Sequence, residues 1–153
     1  MNSLQKDRLL LKHAETNLKD YLLSDQLFWP LDAGERLTLG SLLLAMIRMQ
    51  SLTHDSDDVG MVERVSLHIS EIRSAWRTNW ANKAAMEFRS RLRQWELVLR
   101  ELLSPDEKQT VVYPHEVTLR VILALLQPEI LEPDLYALEH LAALDRRLSG
   151  VCH

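Results

Sequence analysis

The sequence predicts an all-α protein, an elongated bundle of about five helices built around one long central helix at about 60–104. Three observations predict it. Leucine fills about a fifth of the 153 residues while the β-branched residues are few, and unbranched side chains lose little rotamer freedom in a helix. Apolar residues recur at helical spacing through most of the chain. Between Gly60 and Pro105 there is neither Gly nor Pro.

The first helix starts at a Ser3 cap and carries Leu4, Leu11, Leu18 and Leu22 among charged residues to about Gln26. Pro30 disfavours helical geometry at Trp29, and Asp32-Ala33-Gly34 reads as a turn. The apolar residues Leu27, Phe28, Trp29 and Leu31 of this connection are expected to tuck against the core. The second helix, about 38–52, is apolar almost all round, as suits an element buried on most sides. Residues 53–60 (THDSDDVG) read as a loop, with Asp57 or Asp58 capping the next helix.

The central helix carries one apolar line from Val65 through Ile69, Ile72, Trp76, Trp80, Ala84, Phe88, Leu92, Trp95 and Leu99 to Leu102. Its ten steps average about 3.7 residues, above the 3.5 of a left-handed coiled coil, which predicts a nearly straight spine. At the standard rise it would be about 65 Å long. Glu87–Arg91 and Glu96–Arg100 have the favourable acid-first order of helical ion pairs. Thr78, Asn79 and Asn82 are poor helix formers, so a kink or break at Thr78–Asn82 is the main alternative to a continuous helix. Ser104-Pro105 ends the helix, and Val111–Tyr113 has strand-forming residues without a second strand to pair with. Pro114 opens a fourth helix that stops at Pro128, and Pro133 opens a fifth that ends at Gly150. The first helix and the C-terminal hairpin would each cover half of the spine, or a homodimer would bury its overhang.

The whole chain, 1–153, reads as a single helical domain. Its net charge of −4 argues against nucleic-acid binding driven by bulk charge. Its one cysteine, Cys152, allows no internal disulfide, and no stretch has the length of a membrane span or the layout of a signal peptide; a cytoplasmic protein is expected. No cofactor or metal is implied. The six histidines form no HxxxH or HExxH pair; His68 with Glu71 and Glu139 beside His140 are the nearest approaches to a ligand set. The acids of the 53–60 segment lack the calcium-loop pattern. There is no GxSxG motif or phosphate-binding glycine loop, so no catalytic residue is assigned.

The candidate binding or interface residues are Arg73, Trp76, Arg77, Trp80 and Lys83. They share one strip of the long helix, within a segment (Ser70–Ser104) of seven basic and four acidic residues. Tryptophan and arginine anchor interfaces and also stack on anionic or aromatic ligands. The plainer reading, a core or subunit interface with arginine stems packed along its edges, is favoured over a partner surface and over an anion site. The leading expectation is a non-enzymatic protein-interaction or self-association module, its partner a second copy or another protein. A small-molecule-binding helical regulator comes second and a metal-dependent helical-bundle enzyme third.

Overall fold

The structure, a computed structural model, describes residues 3–31, 36–52, 55–102 and 114–151. The chain is an all-α bundle. Helix α1 (Ser3–Leu23) leads through a two-stranded antiparallel ribbon, β1 (Trp29–Pro30) and β2 (Arg36–Leu37), into α2 (Leu39–Leu52). Then come α3 (Ser56–Ala75), α4 (Arg77–Leu102), α5 (Pro114–Leu126), a 3-10 turn (Gln127–Glu129) and α6 (Leu135–Val151).

The predicted spine is two helices joined at Trp76. The residue has φ −120° and ψ 44°, outside the helical region, two residues ahead of the Thr78–Asn82 segment. Hydrogen bonding runs on around it: the Trp76 N–H donates to Ile72 O and its carbonyl accepts from the Trp80 N–H, both at 2.9 Å. Direction is kept as well. Contacts with α1 advance in step, from Arg8–Asp58 through Glu15–Arg64 and Lys19–Trp76 to Ser24–Lys83. The spine bends at Trp76 and continues.

Both halves of the apolar line are covered by the chain itself. Val65 and Ile69 are buried where α3 meets α1 and α2. Trp80, Ala84, Phe88, Leu92, Trp95 and Leu99 are buried on α4, against which α5, the 3-10 turn and α6 pack. Ile72, Trp76 and Leu102 are half-buried. Most of this line is thus buried by described parts of the same chain.

Some boundaries differ from those the sequence suggests. Helix α3 begins at Ser56, within the expected loop, because Asp55 rather than Asp57 or Asp58 is its cap: Asp55 Oδ1 accepts the Asp57 N–H at 2.9 Å. Asp57 and Asp58 sit in the first turn, where the helix dipole favours acids. Gly60 and Gly150 both lie inside helices, with open space where a Cβ would be. Helix α6 starts at Leu135 with Asp134 Oδ1 accepting the Ala137 N–H. The turn at 32–34, the possible strand at 111–113 and Cys152 lie outside the described residues.

Helix α2 is placed by the polar groups at its start. Thr38 Oγ1 accepts the Ser41 N–H and Ser41 Oγ accepts the Thr38 N–H, each at 3.0 Å, a reciprocal cap with serine in place of the usual glutamate. The Gly40 N–H donates to both carboxylate oxygens of Glu87 on α4, at 3.0 and 3.2 Å. Glu87 is fully buried and also accepts from Arg91 Nε at 2.6 Å. Arg91 Nη2 reaches on to Thr38 Oγ1 at 3.3 Å. At the other end of α2, Arg48 approaches the buried Asp7 of α1 at 3.2 Å, while burial pushes the Asp7 carboxyl above its ordinary range.

A Cβ at position 40 would overlap Glu87 Oε2 and Ile122 Cγ2, and the second of these is an atom of the core. Gly40→Ala is therefore expected to destabilise the fold by about 2–3 kcal/mol, the usual cost of overpacking plus a strained buried hydrogen bond. Urea denaturation followed by circular dichroism measures it; a midpoint equal to that of the wild type would show that α2 and α4 do not approach this closely.

Candidate functional site

The five strip residues take different partners. Trp80, in the first turn of α4, is buried, and its indole Nε1–H donates to Glu129 Oε1 at 3.1 Å. Arg73, one turn before the break, has its Nε 3.0 Å from the same oxygen and its guanidinium 5.8 Å from the Trp80 ring centroid. A single carboxylate on the 3-10 turn thus holds one residue from each side of the bend. Trp76, at the bend, is half-buried with the Lys19 ammonium 5.4 Å from its ring centroid. Arg77 is half-buried, and its Nη1 is buried without a hydrogen-bond partner.

Lys83 is only 3% exposed. Its ammonium lies 4.6 Å from the centroid of the buried Tyr21 ring and donates to Ser24 Oγ at 3.2 Å and to the Gln26 carbonyl. These acceptors follow the C-terminal end of α1, where a cation also meets the favourable end of the helix dipole. Burial pushes Lys83 below the ordinary lysine value, and the charge of Asp25 partly opposes this. The strip therefore brings Arg73 and Trp80 together around Glu129 and sends Lys83 to the exit of α1.

Beside Lys83 lies an open cleft of about 730 Å³, walled by the end of α1, the first half of α4 and the segment between the 3-10 turn and α6. Thr78, Asn79, Asn82 and Arg89 bring polar groups to it, with Glu132 on the far side. A second groove, of about 470 Å³, lies where the end of α2 meets α3. Its lining is mainly apolar: Met49, Val59, Val62 and Leu67, with Gln50 and Glu63 at its edge.

Sequence reasoning missed Glu129, Asn79, Asn82, Arg89 and this second groove. Nothing in the spacing of Glu129 marks it, since its partners are about fifty positions away. The groove had a signal: Val59, Glu63 and Leu67 stand at i, i+4 and i+8 on α3, on a line apart from the buried stripe.

Among the described residues, no three His, Cys, Asp or Glu side chains come together in a way that could hold a metal ion. His68 faces Glu15 of α1 at 3.5 Å rather than Glu71, and His140 lies 3.7 Å from Glu96. No described helix is long and apolar enough to cross a membrane. No known protein family, curated protein or solved structure matches the chain.

Removing the Glu129 carboxylate leaves the Trp80 N–H buried without an acceptor and the Arg73 guanidinium without its counter-ion. Glu129→Ala is expected to cost about 1–3 kcal/mol of stability and to change the Trp80 fluorescence. Thermal unfolding with tryptophan emission checks both; an unchanged spectrum and midpoint would mean that the carboxylate does not hold the bend.

Proposed function

We propose that the chain is a non-enzymatic docking protein that receives an amphipathic helix of another protein in the groove between α2 and α3. One observation carries the reading. A groove of about 470 Å³ with mainly apolar walls is left uncovered by the described residues, and Leu67 on its rim is 64% exposed. Leu52, at the end of α2, is 57% exposed as well. Two packed helices with an apolar furrow between them form the common receptor for a third helix. Exposed apolar residues gathered at one place mark interaction surfaces more often than those scattered singly.

The charge of the groove selects the partner. Glu63 stands between Val59 and Leu67 on the same stripe of α3. If two copies paired antiparallel through this stripe, the two Glu63 carboxylates would meet at the dyad, and like charges set against each other disfavour the complex. A partner helix with a lysine or arginine opposite Glu63 and apolar residues on either side suits the groove better. The proposal places this encounter in the cytoplasm, in keeping with a chain whose only cysteine is Cys152.

A photo-crosslinking amino acid at position 67, used in living cells, tests the reading. It should give a discrete adduct with another polypeptide, and Glu63→Lys should lower its yield about tenfold. A probe at position 71, on the exposed side of α3, should give none. Only unlinked chain, or an adduct of twice the chain mass, would overturn the docking reading; the latter would assign the groove to a second copy.

A further inference from the structure

We propose that the cleft beside Lys83 binds a small amphipathic carboxylate, its anionic head at Lys83, Asn79 and Asn82 and its apolar body against Leu23, Met86 and Leu131. The site is separate from the groove between α2 and α3, and none of its residues lines that groove.

The first argument is the state of Lys83. A cation withdrawn from water is costly unless an anion faces it. Lys83 is almost wholly buried, yet its hydrogen-bond partners are neutral oxygens, Ser24 Oγ and Gln26 O. Among the described residues no carboxylate lies within ion-pair distance of it; Asp25 acts only from further away. The Tyr21 ring, 4.6 Å from the ammonium, attracts the cation but carries no counter-charge, and Lys83 lines the cleft. A carboxylate there would supply the missing counter-charge.

The second argument is the distribution of polar and apolar groups around the cleft. On the α4 wall, Asn79 and Asn82 stand one turn apart, with Asn82 next to Lys83 in sequence, and both line the cleft. Arg89 adds a second positive charge, set against the single acid Glu132. The other walls set Leu22, Leu23, Ile130 and Leu131 beside Ser24 and Glu132, and two of these residues are unusually open: Leu23 is 50% exposed and Leu131 is 51% exposed. A short alkyl or aryl body would cover them. A volume of about 730 Å³ falls within the range of small-molecule sites, which combine apolar walls with a few convergent polar groups.

The third is position. The cleft is bounded by α4 and by two segments that Lys83 and Trp80 tie to it: the exit of α1 through Ser24 and Gln26, and the stretch after the 3-10 turn through Glu129. Its walls are thus preformed, which lowers the ordering cost of binding.

Decanoate, decanol and acetate titrated into the full chain test the proposal, with calorimetry and amide and ammonium NMR as readouts. Decanoate is expected to bind about tenfold more tightly than either decanol or acetate, because only it has both the head and the tail. Binding should shift the side-chain amides of Asn79 and Asn82 and raise the pKa of Lys83. Arg89→Glu and Leu131→Asp alter exposed positions and should leave the unfolding midpoint in place while each weakens decanoate about tenfold. Equal affinity for decanol and decanoate, a Lys83 pKa unmoved by decanoate, full affinity in both variants, or no saturable binding would each overturn the assignment.

Discussion

The buried carboxylate of Glu87 is the contact on which the arrangement of the helices depends. An ionised group with no exposure to water is tolerated only when its oxygens are well satisfied. Glu87 meets that condition through the Gly40 N–H, the Arg91 guanidinium and the positive end of the α2 dipole. These demands are strict, because each partner must come from a particular place. Position 40 must be glycine for the backbone to come near enough, and Ile122 of α5 closes on the same glycine from another direction. Three helices, α2, α4 and α5, are thereby located against one point. Apolar burial supplies most of the free energy of the fold, but it is not directional, and the carboxylate sets the register at which the apolar faces meet.

The same side of α4 carries the other pins. Trp80, Lys83, Glu87 and Arg91 follow one another at steps of three and four residues. Together they hold three parts of the chain: Trp80 the 3-10 turn before α6, Lys83 the exit of α1, Glu87 and Arg91 the start of α2. Helix α4 is therefore a rack on which the connections hang, and its apolar line is the side on which α5 and α6 pack. The cleft and the groove follow from this construction. The cleft at Lys83 lies where the held connections meet α4, and the groove at Leu67 lies where the end of α2 meets α3.

Much of the fold was legible because helical periodicity survives in any environment. The line from Val65 to Leu102 marked most of the buried positions of α3 and α4, missing Val62, Ala81, Lys83 and Glu87, and the tryptophan at 80 was readable as core from that line alone. The bend was only partly legible. The poor helix formers at Thr78 and Asn79 pointed to the region, but the interruption sits at Trp76, whose side chain carries no helix-breaking signal. What holds it is Glu129, distant in sequence. The strands of the ribbon have two residues each, too few for alternation to show. The charged residues were the least legible. Glu87–Arg91 has the same sequence pattern as the exposed pair Glu96–Arg100, and only the approach of Gly40 makes one of them interior. Lysine is so rarely buried that Lys83 read as the edge of a surface strip, whereas its burial is what gives the cleft its character.

If the Glu87 carboxylate sets the register of the bundle, the Gly40 amide is held as firmly as anything in the molecule. Native-state hydrogen exchange of that amide tests this directly. Gly40 stands in the first turn of α2, where amides ordinarily exchange quickly through fraying. The account predicts the reverse: Gly40 N–H exchanges only with global unfolding, as slowly as the slowest amides of α4, and Glu87→Gln returns it to the fast rate of a frayed helix start. Rapid exchange of Gly40 in the unaltered chain would contradict the account.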